Sequence, residues 1–81
     1  MAINNQQAKF YKADPERLRA AIDETSQTDS RIAADANCNR NTLKRALDGD
    51  RILRAKYVGI TNSLKKHGWN GTPESIFKPE Y

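Results

Sequence analysis

The sequence predicts an all-α fold, a small bundle of four to five helices. Apolar residues recur at spacings of three and four along most of the chain, which is the pattern of helices with one buried face. Residue types that begin and end helices stand between these runs. With 81 residues, of which 37% are hydrophobic, the chain has material for one small core. We therefore expect a single domain over residues 14–81, preceded by an N-terminal arm over residues 1–13.

The arm carries no signal that begins a helix, and we expect it to be partly extended around Phe10 and Tyr11. The first helix is predicted to begin at Asp14-Pro15-Glu16, because aspartate caps free backbone amides and proline fits the first turn. Its apolar face follows at helical spacing: Leu18, Ala21 and Ile22. The polar stretch 26–28 ends this helix.

Two short helices are predicted next. The first has three candidate capping residues, which are Thr28, Asp29 and Ser30. Its apolar face follows with Ile32, Ala33 and Ala36. Asn37 is expected to end it, because asparagine tolerates left-handed backbone geometry. Asn39 then caps a helix from Arg40 to about Asp48, which Gly49 ends. The inner face of that helix comprises Leu43, Ala46 and Leu47.

The fourth helix is predicted to run from about Leu53 to Lys66. Its apolar positions recur over three turns: Leu53, Tyr57, Ile60 and Leu64. Gly59 lies inside this pattern and indicates close packing against a neighbour, because glycine otherwise weakens a helix by roughly 1 kcal/mol. Basic residues suit the negative pole at its end, and a glycine closes it: Lys65, Lys66, His67 and Gly68.

A last short turn or helix is predicted to open at Thr72-Pro73-Glu74. Four large residues cluster in this tail: Trp69, Ile76, Phe77 and Tyr81. They either complete the small core or form a surface for self-association, and the sequence leaves both interpretations open.

Positive charge is concentrated in the central third of the chain. Between residues 40 and 66, eight lysines and arginines stand against two aspartates, although the whole chain carries only +4. Clustered cations on a small domain are typical of a protein that binds a polyanion, because neutralised phosphates release condensed counterions. A solvated helical face without a partner would show the same composition.

Other classes of function are disfavoured by what the sequence lacks. No apolar run approaches the roughly 20 residues of a membrane span, and the start carries no signal-peptide core. The single cysteine, Cys38, and the single histidine, His67, cannot make a disulfide or a zinc site. Cys38 is expected to fill the turn as a small apolar group, and His67 to complement a helix dipole. No catalytic constellation appears, so we expect a soluble cytoplasmic protein that is not an enzyme and has no cofactor, metal or small-molecule substrate.

Residues 29–49 combine these signals in the layout of a helix-turn-helix. Ala33 is a small residue midway along the first short helix, Asn37 is the left-handed corner, and Leu43 begins the buried face of the second helix. This stretch resembles the helix-turn-helix of the phage lambda repressor and Cro family of small DNA-binding domains. The resemblance implies a sequence-specific DNA-binding transcriptional regulator, a repressor that binds double-stranded DNA as a homodimer.

Two positions depart from the family pattern. Asn37 replaces the usual glycine, a change that the backbone accepts. Asp29 stands where the family often has a glutamine that grips phosphate, and a carboxylate there would repel phosphate. Thr28 or Ser30 would then take over this contact.

By this resemblance the helix 40–48 would enter the major groove. The candidate base contacts are Asn39, Arg40, Asn41, Lys44 and Arg45. The candidate contacts to the DNA backbone are Thr28, Ser30, Thr42, Arg51, Arg54 and Lys56. The alternative function is a helical adaptor whose basic face binds an acidic protein.

Overall fold

A computed structural model describes residues 8–80 and shows an α+β fold, so the prediction of an all-α fold is wrong. Within this range the chain forms four α-helices and one three-stranded antiparallel sheet. In chain order the elements are β1 (Phe10–Ala13), α1 (Pro15–Thr25), α2 (Asp29–Asp35), α3 (Arg40–Leu47), β2 (Arg51–Leu53), α4 (Arg54–Lys66) and β3 (Phe77–Glu80). A 3₁₀ turn at Pro73–Ser75 precedes β3. None of the helices within residues 8–80 is both long and apolar enough to cross a membrane.

The predicted N-terminal caps of the first three helices are confirmed. Asp14 Oδ1 accepts hydrogen bonds from the first free amides of α1. Of the three candidates before α2, Thr28 is the cap, and its hydroxyl accepts from the Arg31 amide at 3.1 Å. Asn39 Oδ1 accepts from the Thr42 amide at 2.9 Å and so caps α3. Each side chain satisfies an amide that has no partner within its helix.

The C-terminal ends of α2 and α3 are also formed by residues that are close in sequence. Asn37 has the left-handed φ of 57° that its position after α2 suggests. The Cys38 amide donates to the Ala33 carbonyl at 3.0 Å, and the Asn37 amide donates to Ala34 at 3.1 Å. These two bonds form a Schellman motif, which satisfies the last free carbonyls of the helix. Gly49 repeats the motif after α3, with a φ of 86°.

The sheet is the element that helical periodicity did not predict. β1 is its middle strand, and Phe10 pairs with Leu53 of β2 on one side and with Glu80 of β3 on the other. Strands of three or four residues are too short to show a clear alternation, and their partners lie far away in sequence. β1 falls within the segment 1–13 for which an arm is predicted; residues 1–7 of that segment lie outside the described residues.

The fourth helix begins at Arg54, one residue later than predicted, because Leu53 ends β2. Leu53 does not belong to the buried face of the helix, since its side chain is 50% exposed. The Arg54 amide donates to the Lys9 carbonyl at 3.0 Å, which ties the start of α4 to the chain just before β1. The expected close packing at Gly59 is confirmed, because a Cβ atom there would collide with the carbonyl of Ala36 at the end of α2.

The core lies between the helices and the inner face of the sheet. Its fully buried large residues are Leu18, Ile22, Ile32, Leu43, Ile60 and Leu64. Trp69, Ile76 and Phe77 are also buried, so these tail residues complete the core, and Tyr81 lies outside the described residues. The Tyr57 ring stacks on Tyr11 with 4.0 Å between centroids and meets Phe77 edge-on at 5.0 Å. This aromatic group joins α4 to two strands of the sheet.

Candidate nucleic-acid interface

The segment formed by α2, the corner and α3 is braced from inside by α4. Ser63 of α4 is buried, and its hydroxyl donates to the Ile32 carbonyl of α2 at 2.9 Å. Lys56, near the start of α4, donates from Nζ to the Asn37 carbonyl at 3.3 Å. α4 therefore holds α2 at Ile32 and the corner at Asn37 itself, which fixes the position of the corner from which α3 leaves.

α3 presents a cationic side to solvent. Leu43 and Ala46 are 1% and 0% exposed, and they anchor the opposite side of the helix in the core. The residues on the solvent side are Arg40, Asn41, Lys44, Arg45 and Asp48. In the last turn, Lys44 and Arg45 also suit the negative pole of the helix dipole. α3 thus offers three cations and one carboxamide to a partner.

A groove of about 580 Å³ lies between α3 and the start of α2. We call it the α2–α3 groove. It brings together five of the predicted contact residues: Thr28, Ser30, Arg40, Asn41 and Lys44. The predicted base-contacting and backbone-contacting groups therefore share one concave surface.

Asp29, one of the two residues that depart from the family pattern, forms an ion pair with Arg19 in this groove. Arg19 of α1 donates two parallel hydrogen bonds to its carboxylate, at 3.0 and 2.9 Å. These bonds, with a further contribution from the charge of Arg40, hold the pKa of Asp29 below its usual range. The carboxylate is thus ionised but paired, which lowers the repulsion that an isolated Asp29 would exert on phosphate.

A second, smaller groove of about 280 Å³ lies on the other side of α3, against the sheet. We call it the α3–sheet groove. Its lining includes four predicted contact residues: Thr42, Arg45, Arg51 and Lys56. The rest of the lining is apolar and includes Phe10 and Leu53. The guanidinium carbon of Arg51 lies 4.4 Å from the centre of the Phe10 ring, a cation–π contact.

Two predicted contact residues lie outside both grooves, namely Asn39 and Arg54. Asn39 Oδ1 accepts both from the Thr42 amide and from the Thr42 hydroxyl at 3.2 Å, so this oxygen is occupied by capping. Arg54 is exposed in the first turn of α4. Lys56 has a structural role as well, since its ammonium group holds the corner carbonyl of Asn37.

Sequence reasoning missed three residues at these surfaces: Arg19, Phe10 and Leu53. Arg19 and Asp29 belong to different helices, and only the packing of α1 on the start of α2 brings them together. Phe10 and Leu53 face each other across β1 and β2. Residues 10–13 and 51–53 carry no usable strand signal, because segments of four and three residues are too short to show an alternation.

The contacts of Cys38 and His67 indicate that both residues have structural roles. Cys38 is half-buried against the core, and burial raises the pKa of its thiol despite the nearby Lys56. His67 ends α4, and its Nε2 shares a hydrogen bond with Asp35 of α2. That bond, followed by the charges of Lys66 and Arg31, holds the pKa of Asp35 below its usual range. Within residues 8–80 no three histidine, cysteine, aspartate or glutamate side chains are grouped as metal ligands.

The fold and the site define a small α+β domain with a helix–turn–helix segment and a cationic second helix. Searches of protein-family models, curated proteins and solved structures found no match to this chain. A function is therefore proposed from the chain's own residues and from the resemblance that they carry.

Proposed function

We propose that the protein is a sequence-specific DNA-binding transcriptional regulator that reads the major groove with α3. The observation that carries this proposal is the placement of Arg40, Asn41, Lys44 and Arg45 on the solvent side of a helix whose other side is buried. A single α-helix fits the major groove of B-DNA, which is about 12 Å wide. In the helix-turn-helix mode, the second helix lies in that groove and the first crosses the DNA backbone.

The side chains on α3 suit the edges of particular bases. An arginine or lysine can pair with guanine O6 and N7, which Arg40, Lys44 and Arg45 offer. Asn41 can donate to adenine N7 and accept from adenine N6. Each good bidentate pair contributes about 1–3 kcal/mol of discrimination against a wrong base.

The DNA backbone would be held at the two grooves beside α3. Thr28 and Ser30 lie at the start of α2 in the α2–α3 groove, and Arg51 and Lys56 line the α3–sheet groove. Such contacts position the protein on the duplex without reading its sequence. The pairing of Asp29 with Arg19 supports this assignment, because it offsets the negative charge that would face phosphate.

The resemblance to the lambda repressor and Cro family supplies the remaining parts of the proposal. They are membership of that family, a role as a repressor, a homodimer on a palindromic site, and a location in the cytoplasm, where the duplex would be accessible. The proposed activity is binding, without a catalytic step or a cofactor.

The test is a selection of random double-stranded oligonucleotides on the purified full chain. We expect one short, roughly symmetric motif to be enriched, with an affinity that falls steeply as salt rises. The variant Arg40→Ala/Lys44→Ala should lose about 5- to 150-fold in affinity for that motif per lost base pair contact. The matched control is Lys65→Ala/Lys66→Ala, which removes the same charge from the far end of α4.

Circular dichroism should show the same helical content in both double variants and in the wild type. Enrichment of no motif by the wild type would refute the proposal and leave the basic face to an acidic protein partner. An equal loss of affinity in the control variant would show that net charge, and not α3, determines binding.

A further inference from the structure

The outer face of the sheet carries a row of three cations, which we call the cation row. The strand registers place Lys12 of β1 directly opposite Arg51 of β2 on one side. The same Lys12 is directly opposite Lys78 of β3 on the other side. All three residues are exposed. The row therefore crosses the whole sheet, from one edge strand to the other, over about 10 Å.

Such a row is unfavourable for the isolated fold. Directly opposed side chains in a sheet have Cβ atoms about 4.5–5.5 Å apart, and like charges in such pairs are destabilising. Glu80 is the carboxylate on this face within the described residues, and it lies 3.7 Å from Lys12 Nζ and 3.9 Å from Arg51 Nη1. The three strands thus carry three cations and one carboxylate on this face, and Lys78, which lines a depression with Asp14 and Glu74, makes no ion pair within 4 Å among the residues that the structure describes. Unfavourable local arrangements of this kind are expected where a surface serves a partner.

The cation row is continuous with α3, the proposed recognition helix. Arg51 belongs both to the row and to the α3–sheet groove, where it shares the lining with Arg45 of α3. β2 follows α3 after only three residues, 48–50, so the sheet cannot move independently of that helix. A duplex that engages Arg45 would therefore extend toward Arg51 and, beyond it, toward Lys12.

We propose that the cation row binds the sugar–phosphate backbone of the same duplex that α3 enters, next to the major-groove contact. This inference rests on the proposed function and adds Lys12 and Lys78 as phosphate contacts. Charge complementarity selects the occupant, because phosphates would relieve the repulsion within the row, whereas the same face of a second copy would add to it. The next row across the sheet comprises Leu53, Phe10 and Glu80, and its two apolar side chains would lie against the sugars.

The test uses Lys12→Gln/Lys78→Gln, which leaves every previously assigned contact residue intact. Affinity for the motif selected by the wild type is measured by fluorescence anisotropy between about 50 and 300 mM salt, a range over which the Debye length falls from about 14 Å to about 6 Å. Each phosphate contact contributes about 0.9 to the slope of log affinity against log salt, so the slope should be smaller by about 1.8. At 0.1 M salt this corresponds to a loss of affinity of up to about 60-fold.

Two further variants sharpen the result. Glu80→Gln removes the opposing carboxylate, so it should tighten binding and steepen the salt dependence. Lys65→Gln/Lys66→Gln removes two cations that lie on neither groove and should leave the slope unchanged. Lys78→Gln alone should raise the Tm, because it removes one opposed like-charge pair.

The outcomes separate this inference from the proposed function. If the wild type selects a motif but Lys12→Gln/Lys78→Gln keeps the slope of log affinity against log salt, the cation row does not bind phosphate. The proposed role of α3 is not affected by that result. If the double variant loses sequence preference as well as affinity, the row does more than bind phosphate and the inference is wrong. If the wild type enriches no motif, both proposals fall together.

Discussion

The helix–turn–helix segment and the sheet differ in the range of the contacts that hold them. Around the corner, the defining bond joins Cys38 to Ala33, five residues away, and the cap of α3 reaches three residues along the chain. In the sheet, Phe10 pairs with Glu80, 70 residues away. The first region is therefore specified by its own residues, whereas the second exists only when distant parts of the chain meet.

The sheet contributes mainly to stability, whereas the helix–turn–helix segment carries the proposed contacts. The sheet and its aromatic group, Tyr11, Tyr57 and Phe77, connect the beginning and the end of the described chain through the core. α2 and α3 are short helices whose exposed side carries the proposed contacts. Substitutions in the sheet core should therefore cost the most free energy of unfolding, and those at the corner should cost less.

Phe77→Ala should produce the largest loss. The side chain is 2% exposed, and its removal would cost about 3–5 kcal/mol, a large part of the stability of a small domain. The free energy of unfolding is measured by urea titration, with the exposed Glu74→Ala as the control, expected within about 0.5 kcal/mol of the wild type. A loss below about 1 kcal/mol for Phe77→Ala would show that the fold does not depend on β3.

Gly59→Ala tests the contact by which α4 braces the helix–turn–helix segment. The added methyl group would collide with the Ala36 carbonyl, so the two helices must separate, at a cost of about 1–3 kcal/mol. Asn62→Ala, on the exposed side of the same helix, should be neutral or stabilising because alanine has the higher helix propensity. The Tm of both variants is measured by thermal unfolding. Equal Tm values for Gly59→Ala and the wild type would contradict close packing at Gly59.

The corner itself is tested by two substitutions at Asn37. Asn37→Ala places a residue that disfavours positive φ at 57°, which should cost roughly 1–2 kcal/mol. Asn37→Gly should be as stable as the wild type or slightly more so, because glycine adopts this geometry freely. If alanine and glycine gave the same free energy of unfolding, the left-handed backbone would not be what holds the corner.

The smallest effect is expected at the pair of Arg19 and Asp29. Because the folded state lowers the pKa of Asp29, the stabilisation is present above the usual aspartate pKa of about 4 and is lost as pH falls through the lower, folded pKa. Both side chains are partly exposed, so Arg19→Gln should cost at most about 1 kcal/mol at pH 7. Urea titrations of Arg19→Gln and the wild type should differ at neutral pH and converge in acid. A difference that persists unchanged at pH 2 would assign the effect to packing and not to charge.

Much of the helical half of this fold could be predicted from sequence because its signals are local. Asp14, Thr28 and Asn39 cap helices with bonds to the next two or three residues, and Asn37 turns the chain by its own backbone preference. The sheet could not be predicted in the same way, since three- and four-residue strands show no reliable period. The site divides along the same line. The residues of α3 follow from helical geometry, whereas Arg19 and the cation row come together only through tertiary packing.

The position of β1 between an early and a late partner has a consequence for synthesis. β2 emerges from the ribosome about 40 residues after β1, but β3 follows only after α4, some 70 residues after β1. At 5–20 residues per second, the nascent chain spends about 4–14 s with β1 waiting for its second neighbour. Helices form within microseconds, but α2 and α3 have only seven and eight residues, so they become stable when α1 and α4 pack on them, while one edge of β1 is still open. During this interval the unfinished chain would present the proposed recognition helix on a domain whose sheet still lacks its third strand.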